Sequence, residues 1–289
     1  MAYDTACVVG GAGAVGSLFC ELLLKEYSHV VALDLNCDGS SQLDGIDYVK
    51  GDISDANSYV FLQQAELILL ALPGDPAIES IPSLNKLLKT GQCLIDTTSV
   101  KSNIVARMLE LHPKFEVLSI NPMFGPSLGF LNQSVACVEI NKGPISERLM
   151  SLMRNEGATV VVMNAEQHDK CTAVTQVVTH AVILSFGLAL GKINYNPDLA
   201  KPIWTPPFKT LLALLSRILC ADSEVYRDIQ SSNPFAQEAR KSLSIGLKEL
   251  SDNILSGKPE EFTELFEGLK IHTDSNCDEL IEFCHKIFK

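Results

Sequence analysis

The sequence predicts an α/β domain with a doubly wound, mostly parallel sheet, followed by an all-helical domain. Three observations predict it: short apolar runs alternating with amphipathic stretches over the first 163 residues, a Gly-rich turn directly after the first run, and a change to uninterrupted helical spacing from about Ala165. The expected domains are 1–164 and 165–289. The strand-like runs are Thr5–Gly10, Val30–Asp34, Leu67–Leu72, Gln92–Asp96, Phe115–Ile120, Val135–Ile140 and Thr159–Met163, each rich in Val, Ile, Leu or Cys. Most end at Gly, Asp, Pro or Asn, as buried strands do. Between them Ala14–Glu26, Ser54–Gln64, Ala77–Lys89, Lys101–His112 and Ser146–Glu156 carry apolar residues at helical intervals. In the second half, Val174, Val177, Val178, Ala181, Val182, Leu184 and Leu188 read as one buried helix ending at Gly191. A Pro-rich break follows at Pro197, Pro202, Pro206 and Pro207, then long helical patterns over Phe208–Ile229 and Ala236–Leu255. The central helix is apolar on too many faces for water, so a partner copy is expected to cover it, giving a homodimer.

Composition narrows the function. Lys and Arg total 23 against 35 Asp and Glu, a formal charge of −12, which argues against nucleic acid or an anionic membrane as partner. An anionic ligand would need a local basic cluster. No run approaches the ~18 continuous apolar residues of a spanning helix. Nine cysteines without a C-x-x-C pair suggest neither a disulfide framework nor a zinc site; most sit inside apolar runs and read as small buried hydrophobes, in a reducing cytoplasm.

Gly11, Ala12, Gly13, Ala14, Val15 and Gly16 form G-x-G-x-x-G between the first strand and first helix. That placement gives the turn its meaning: glycines let backbone approach a pyrophosphate, and the helix N-terminus attracts its charge. Asp34 closes the second strand, where a carboxylate accepts from both ribose hydroxyls and repels a 2′-phosphate; residues 35–42 hold no Arg or Lys. NAD is therefore expected over NADP, although the same Asp34 would also serve as a simple turn cap. Leu72 and Pro73 end a strand on the same edge, where backbone lines the cofactor cleft.

Two more strand ends carry chemistry: Asp96 to Lys101, containing Thr98 and Ser99, and Asn121 to Pro126. Ser99 reads either as an N-cap or as a group at the cleft mouth. With these segments, His168-Asp169-Lys170, Gln176 and His180, and the runs Thr205 to Arg217 and Ala221 to Ile229, the chain resembles the prephenate and arogenate dehydrogenase family nearly end to end. The resemblance implies NAD-dependent oxidative decarboxylation of a small dicarboxylate, with Thr98 near the cofactor and Ser99 near the reacting carbon. It also implies Gln176 and His180 facing the substrate, and Lys209 and Arg217 on its carboxylates. Lys209 stands where family members usually have Arg, keeping the charge without the bidentate fork. His168 reads as a helix-start cap. The chain reads as a dehydrogenase alone, without a mutase segment before it or a regulatory domain after it.

One departure matters most. The family motif opens with a histidine that takes the hydroxyl proton as hydride leaves, and here that position is Asn121. An amide cannot act as a base near neutral pH, and losing a general base costs about 10²–10⁴-fold. Three readings follow. The substrate carries an amine, so hydride loss leaves an iminium needing no base; this is the aminodeoxyprephenate dehydrogenase branch, converting 4-amino-4-deoxyprephenate to 4-aminophenylpyruvate, with Asn121 orienting the amine. Alternatively the chain is a prephenate or arogenate dehydrogenase using water or His180, or a catalytically silent NAD-binding protein. The 3-hydroxyacid dehydrogenases are disfavoured, since their G-x-G-x-x-x-K-x-x-N helix is missing.

Overall fold

Seven expected strands and an eighth form a single sheet in the computed structural model, which describes residues 4–37, 43–273 and 276–288. The strands are β1 (Thr5–Val9), β2 (His29–Asp34), β3 (Ile46–Lys50), β4 (Leu67–Leu70), β5 (Cys93–Asp96), β6 (Glu116–Pro122), β7 (Ser134–Asn141) and β8 (Thr159–Val162). Their order is β3-β2-β1-β4-β5-β6-β7-β8, and every pair is parallel except β6 with β7. The helices between them are α1 (Ala14–Leu23), α2 (Tyr59–Gln64), α3 (Gly74–Leu87), α4 (Ser102–Glu110), α5 (Pro144–Asn155) and α6 (Ala165–Thr172). The strand order reverses between β1 and β4, and in such sheets a ligand crevice forms beyond the carboxyl ends at that point.

Both faces of the central strands are buried, as the continuous apolar runs require, whereas the edge strand β8, expected to be buried, leaves Val161 39% and Val162 48% exposed. Alternate residues divide between two cores: Ala6, Val8, Leu67 and Leu69 join Phe19 and Leu23 of α1 on one face. On the other, Cys7, Val9, Ile68 and Leu70 join Leu62, Ile81, Leu84 and Ile104. Each buried Val, Leu, Ile or Phe among them contributes about 1.5–3 kcal/mol by leaving water. The strand missing from the sequence reading, β3, pairs only with β2 at the sheet edge, and its Ile-Asp-Tyr-Val-Lys carries too few apolar residues to read as a buried run.

The chain divides into two compact units, Met1–Cys171 and Thr172–Lys289. In the second, a π-helical turn at Ala173–Val178 leads into α7 (Thr179–Lys192) and the short α8 (Pro197–Ala200). After these come α9 (Pro206–Leu219), α10 (Ser223–Ser232), α11 (Ala236–Ser256), α12 (Pro259–Leu269) and α13 (Cys277–Phe288). The pattern expected as one helix over Phe208–Ile229 is thus two, because Asp222 caps α10 by accepting from the Glu224 N–H at 2.9 Å. The π turn is propped from outside: Gln230 Nε2 donates to the Val177 carbonyl at 2.8 Å, and Val177 packs with Ile229 and Ala236.

The central helix is only partly buried within its own chain: Val177, Ala181 and Ile183 are covered, and other apolar residues are left for the partner copy that the sequence reading expects. Val174 is 64% and Leu188 72% exposed. The stretch Ala165–Lys192 is long and apolar enough, by length and composition, to cross a membrane; His168, Asp169, Gln176 and His180 interrupt it. Leu255, Phe266 and Phe283 are exposed as well, leaving the helical unit with only small cores of its own. The cysteines also split. Cys7, Cys20, Cys93 and Cys137 are buried, with burial pushing the Cys7, Cys20 and Cys137 thiols up to about 12, whereas Cys171, Cys220, Cys277 and Cys284 are exposed.

Candidate active site

The Gly-rich turn has the geometry a dinucleotide needs. Gly10 lies at φ +77°, and a Cβ there would meet the Ala71 carbonyl oxygen at 2.3 Å, so the loops after β1 and β4 touch. A Cβ on Gly16 would sit 2.0 Å from the Gly10 oxygen, which is why α1 can pack so closely on β1. Gly13 precedes α1 without a side-chain cap, and the first turn holds no acidic residue, so its N–H groups suit a phosphate. Asp34 does cap the turn: Oδ2 accepts from the Ala12 N–H and Oδ1 from the Asn36 N–H, both at 3.0 Å. Each oxygen retains a further lone pair, so this role is compatible with ribose hydroxyls. Ala14 and Val15 open α1, while Leu72 and Pro73 lead into α3. Of the residues that would meet a 2′-phosphate, 38–42 lie outside the described residues.

At the ends of β5 and β6 a polar cluster surrounds a fully buried lysine. Lys101 Nζ donates to Asp96 Oδ1 at 3.0 Å and to the Ile120 carbonyl at 2.6 Å, fixing the backbone just before Asn121. Burial lowers the Lys101 pKa and the Asp96 charge opposes that shift. Thr98 points inward, its hydroxyl 2.7 Å and its N–H 3.0 Å from Asp96 Oδ1, so both donors are committed to this carboxylate and its carbonyl is what is left for a cofactor. Ser99 is no N-cap. Helix α4 begins at Ser102, and its first N–H groups are satisfied by Asp169 of α6, which accepts from Lys101 N at 2.9 Å and Ser102 N at 2.8 Å. Among the described residues the Ser99 hydroxyl meets no partner, while its carbonyl accepts from Asn121 Nδ2 at 3.4 Å.

His168 also departs from the sequence reading. The start of α6 is capped by Asn164, whose Oδ1 accepts from the Gln167 N–H at 2.8 Å. His168 lies inside the helix, completely buried, with Nδ1 2.7 Å from Asp169 Oδ1 and Nε2 3.1 Å from Asn121 Nδ2. Burial alone would raise the Asp169 carboxyl, but hydrogen bonds from His168, Ser102 and the Lys101 N–H outweigh it and hold its pKa below 3.8.

In the helical unit, Gln176 sits within the π turn, a distortion that favours functional positions, and His180 one turn later in α7. Gln176 Oε1 and His180 Nδ1 are buried without a hydrogen-bond partner among the described residues, an arrangement costing about 1–3 kcal/mol each unless something else satisfies them. The His180 ring packs edge-on against Tyr226 of α10, centroids 5.0 Å apart, a neighbour the sequence reading did not single out. Burial first, and then the Arg217 charge, lower the His180 pKa below 6.5. Arg217 and Lys209, both on α9, are exposed and form no ion pair among the described residues, as anchors for an external anion would be.

Comparison with known proteins gives the family. The family model for the nucleotide-binding domain of prephenate dehydrogenase matches residues 39–137, and that for its dimerization domain matches residues 164–268. Over 288 residues, 99% of this chain and 97% of the relative, the sequence is 38% identical to 4-amino-4-deoxyprephenate dehydrogenase of Streptomyces pristinaespiralis. It is 24% identical to the probable arogenate/prephenate dehydrogenase of Methanocaldococcus jannaschii, covering 94% of this chain and 61% of that protein. The fold is shared with prephenate dehydrogenase from A. aeolicus, solved with hydroxyphenyl propionate and NAD+, at a TM-score of 0.75 and 21% identity, over 95% of this chain and 99% of that one. The chain belongs to the prephenate dehydrogenase family of oxidoreductases.

Proposed function

We propose that the protein is an NAD-dependent dehydrogenase that oxidatively decarboxylates 4-amino-4-deoxyprephenate to 4-aminophenylpyruvate. The observation that carries this reading is Asn121: its Nδ2 lies 3.4 Å from the Ser99 carbonyl and 3.1 Å from His168 Nε2, leaving its carbonyl oxygen to meet a donor on the substrate. Such a group orients an amine and cannot take a proton from a hydroxyl. The relative at 38% identity over 99% of the chain carries that activity in its name. NAD accepts the hydride when bound; Gly11 to Gly16 would hold its pyrophosphate, Asp34 its ribose, and Leu72, Pro73 and Thr98 its flank through backbone.

The protein's own residues divide the remaining work. Arg217 and Lys209 bind substrate carboxylates, Arg217 as a charge-assisted pair, against an overall charge of −12. Gln176 and His180, each with an unpartnered buried atom, take up substrate polar groups, and Ser99 offers its hydroxyl near the reacting carbon. Asn121 Oδ1 accepts from the neutral amine and, once hydride has left, from the iminium N–H. Loss of carbon dioxide then makes the ring aromatic.

We further propose a homodimer joined through the helical unit, supported by its exposed apolar side chains and by the match to a dimerization domain. A cytoplasmic setting fits the buried thiols Cys7, Cys20, Cys93 and Cys137. The test is NADH production from 4-amino-4-deoxyprephenate, prephenate and arogenate under identical conditions. Highest catalytic efficiency on the amino compound is expected; efficient oxidation of prephenate with the amino compound ignored would overturn the reading. In that event His180, whose pKa is lowered by burial and by Arg217 and whose Nδ1 meets no partner among the described residues, is the first proton acceptor to examine.

A further inference from the structure

The amide of Asn121 has a fixed direction, and the reason lies behind it. The Ser99 carbonyl can only accept, so the Asn121 atom facing it is nitrogen, and the same nitrogen faces His168 Nε2 at 3.1 Å. For that contact to be a hydrogen bond, Nε2 must carry a lone pair. The partner on the opposite side of the ring guarantees this. Asp169 gathers N–H donors from Lys101 and Ser102 and the Ser102 hydroxyl at 2.5 Å, which keeps it an acceptor. His168 Nδ1, 2.7 Å from Asp169 Oδ1, therefore donates, which leaves Nε2 to accept from the Asn121 N–H. The free histidine side chain in water favours the opposite tautomer, so the choice made here is imposed by Asp169. Neither His168 nor Asp169 has a route to solvent, since both are 0% exposed.

We propose that His168 and Asp169 are specificity-determining positioning residues that lock the Asn121 amide with its carbonyl oxygen toward the substrate. The inference rests on the reading of Asn121 as the group that meets the substituent on the reacting carbon. The locked direction matters for the reaction. Hydride loss from an amine-bearing carbon develops positive charge on nitrogen, whose N–H makes a charge-assisted bond to an amide oxygen. An amide turned the other way would set N–H against that charge. With the relay intact the amide cannot turn, because its oxygen would then face the Ser99 carbonyl and the Nε2 lone pair together.

The first arm of the test needs no substrate. Full-length protein labelled with ¹⁵N-histidine is examined by long-range ¹H–¹⁵N correlation, with His168 assigned by its loss in His168→Gln. The expected pattern is a protonated Nδ1 and an unprotonated Nε2, shifted by Asp169→Asn; an Nε2–H tautomer in the wild type would overturn the proposal. The second arm is kinetic. His168→Leu should lower kcat on the amino substrate about tenfold or more without changing the Kd for NAD, because the amide is freed to turn. His168→Gln, whose carbonyl accepts the same Asn121 N–H, should recover most of that loss. Equal losses in the two variants, with NAD binding intact, would reduce His168 to packing and refute the positioning role. If wild-type protein prefers prephenate, the substrate reading fails while the tautomer result stands, so the two failures are distinct. Should His168→Leu not fold, the wild-type tautomer decides.

Discussion

Restoring a base at position 121 is the sharpest perturbation of the proposed chemistry. In Asn121→His, a neutral imidazole would find the His168 Nε2 lone pair and the Ser99 carbonyl where the amide N–H groups now lie, both calling for a donor. One ring nitrogen would thus carry the proton inward and the other would face outward bare, which is the state of a general base. A base contributes about 10²–10⁴-fold, or roughly 2.7–5.4 kcal/mol at 1.36 kcal/mol per tenfold. Against this stands crowding: Asn121 is 3% exposed, and enlarging a packed side chain costs about 1–3 kcal/mol. Its neighbour across the strand is the small Ala136, so crowding should fall at the low end. The expected net effect is a rise of about 10²-fold in kcat/KM on prephenate, with activity on the amino analogue equal or lower. The assay is NADH formation from each substrate at saturating NAD, wild type and variant side by side. A variant that binds NAD as the wild type does and shows no gain on prephenate would refute the reasoning about the missing base.

Arg217→Ala should raise the apparent KM for substrate with little change in NAD affinity, losing about 2–4 kcal/mol of transition-state binding; normal kinetics would show that the anchor lies elsewhere. The same variant removes a cation near His180, so the imidazole titration followed by NMR should move up from its depressed position while burial keeps it below 6.5. Asp34→Ser with Asn36→Arg should shift preference toward NADP, and equal wild-type efficiency with both cofactors would contradict the role of Asp34. Light scattering at micromolar concentration should give two chains of 31.5 kDa, whereas a monomer would contradict association through the helical unit. Asp169, with its pKa held below 3.8, stabilises the fold above the unfolded value and loses that contribution as pH falls through the folded one, so Asp169→Asn should flatten the acid end of the stability profile.

Much of this was legible in the residues, and the parts that were not have identifiable reasons. The buried strands announced themselves because both faces of a parallel sheet demand apolar side chains, so Leu67 to Leu70 reads as a strand without help. An edge strand with one wet face gives no such signal, and β3 was invisible for that reason. Helical spacing runs straight through the gap between α9 and α10, and only the Asp222 cap marks the break. The Gly-rich turn and Asn121 were found because their chemistry is local to a motif. His168 was misread because what defines it is a partner 47 residues away, and no spacing rule connects a helix interior to a strand end. Thr98 illustrates the converse: a motif placed it near the cofactor, while the charge of Asp96 next to it turned its hydroxyl inward.

The burial of Lys101 gives the nucleotide-binding unit a built-in clock. An amine with no exposed surface, tied to Asp96 and to the Ile120 carbonyl, cannot react with an acylating reagent while the sheet is intact. Its modification waits for the ends of β5 and β6 to separate, so its labelling rate equals that of a free lysine multiplied by the fraction of molecules open at any instant. The exposed lysines, Lys142 and Lys248 among them, react without waiting and serve as the reference in the same sample. Mass spectrometry of a labelling time course would then give the opening free energy of this unit alone, and a cofactor that binds only the closed form would slow the clock in proportion to its occupancy.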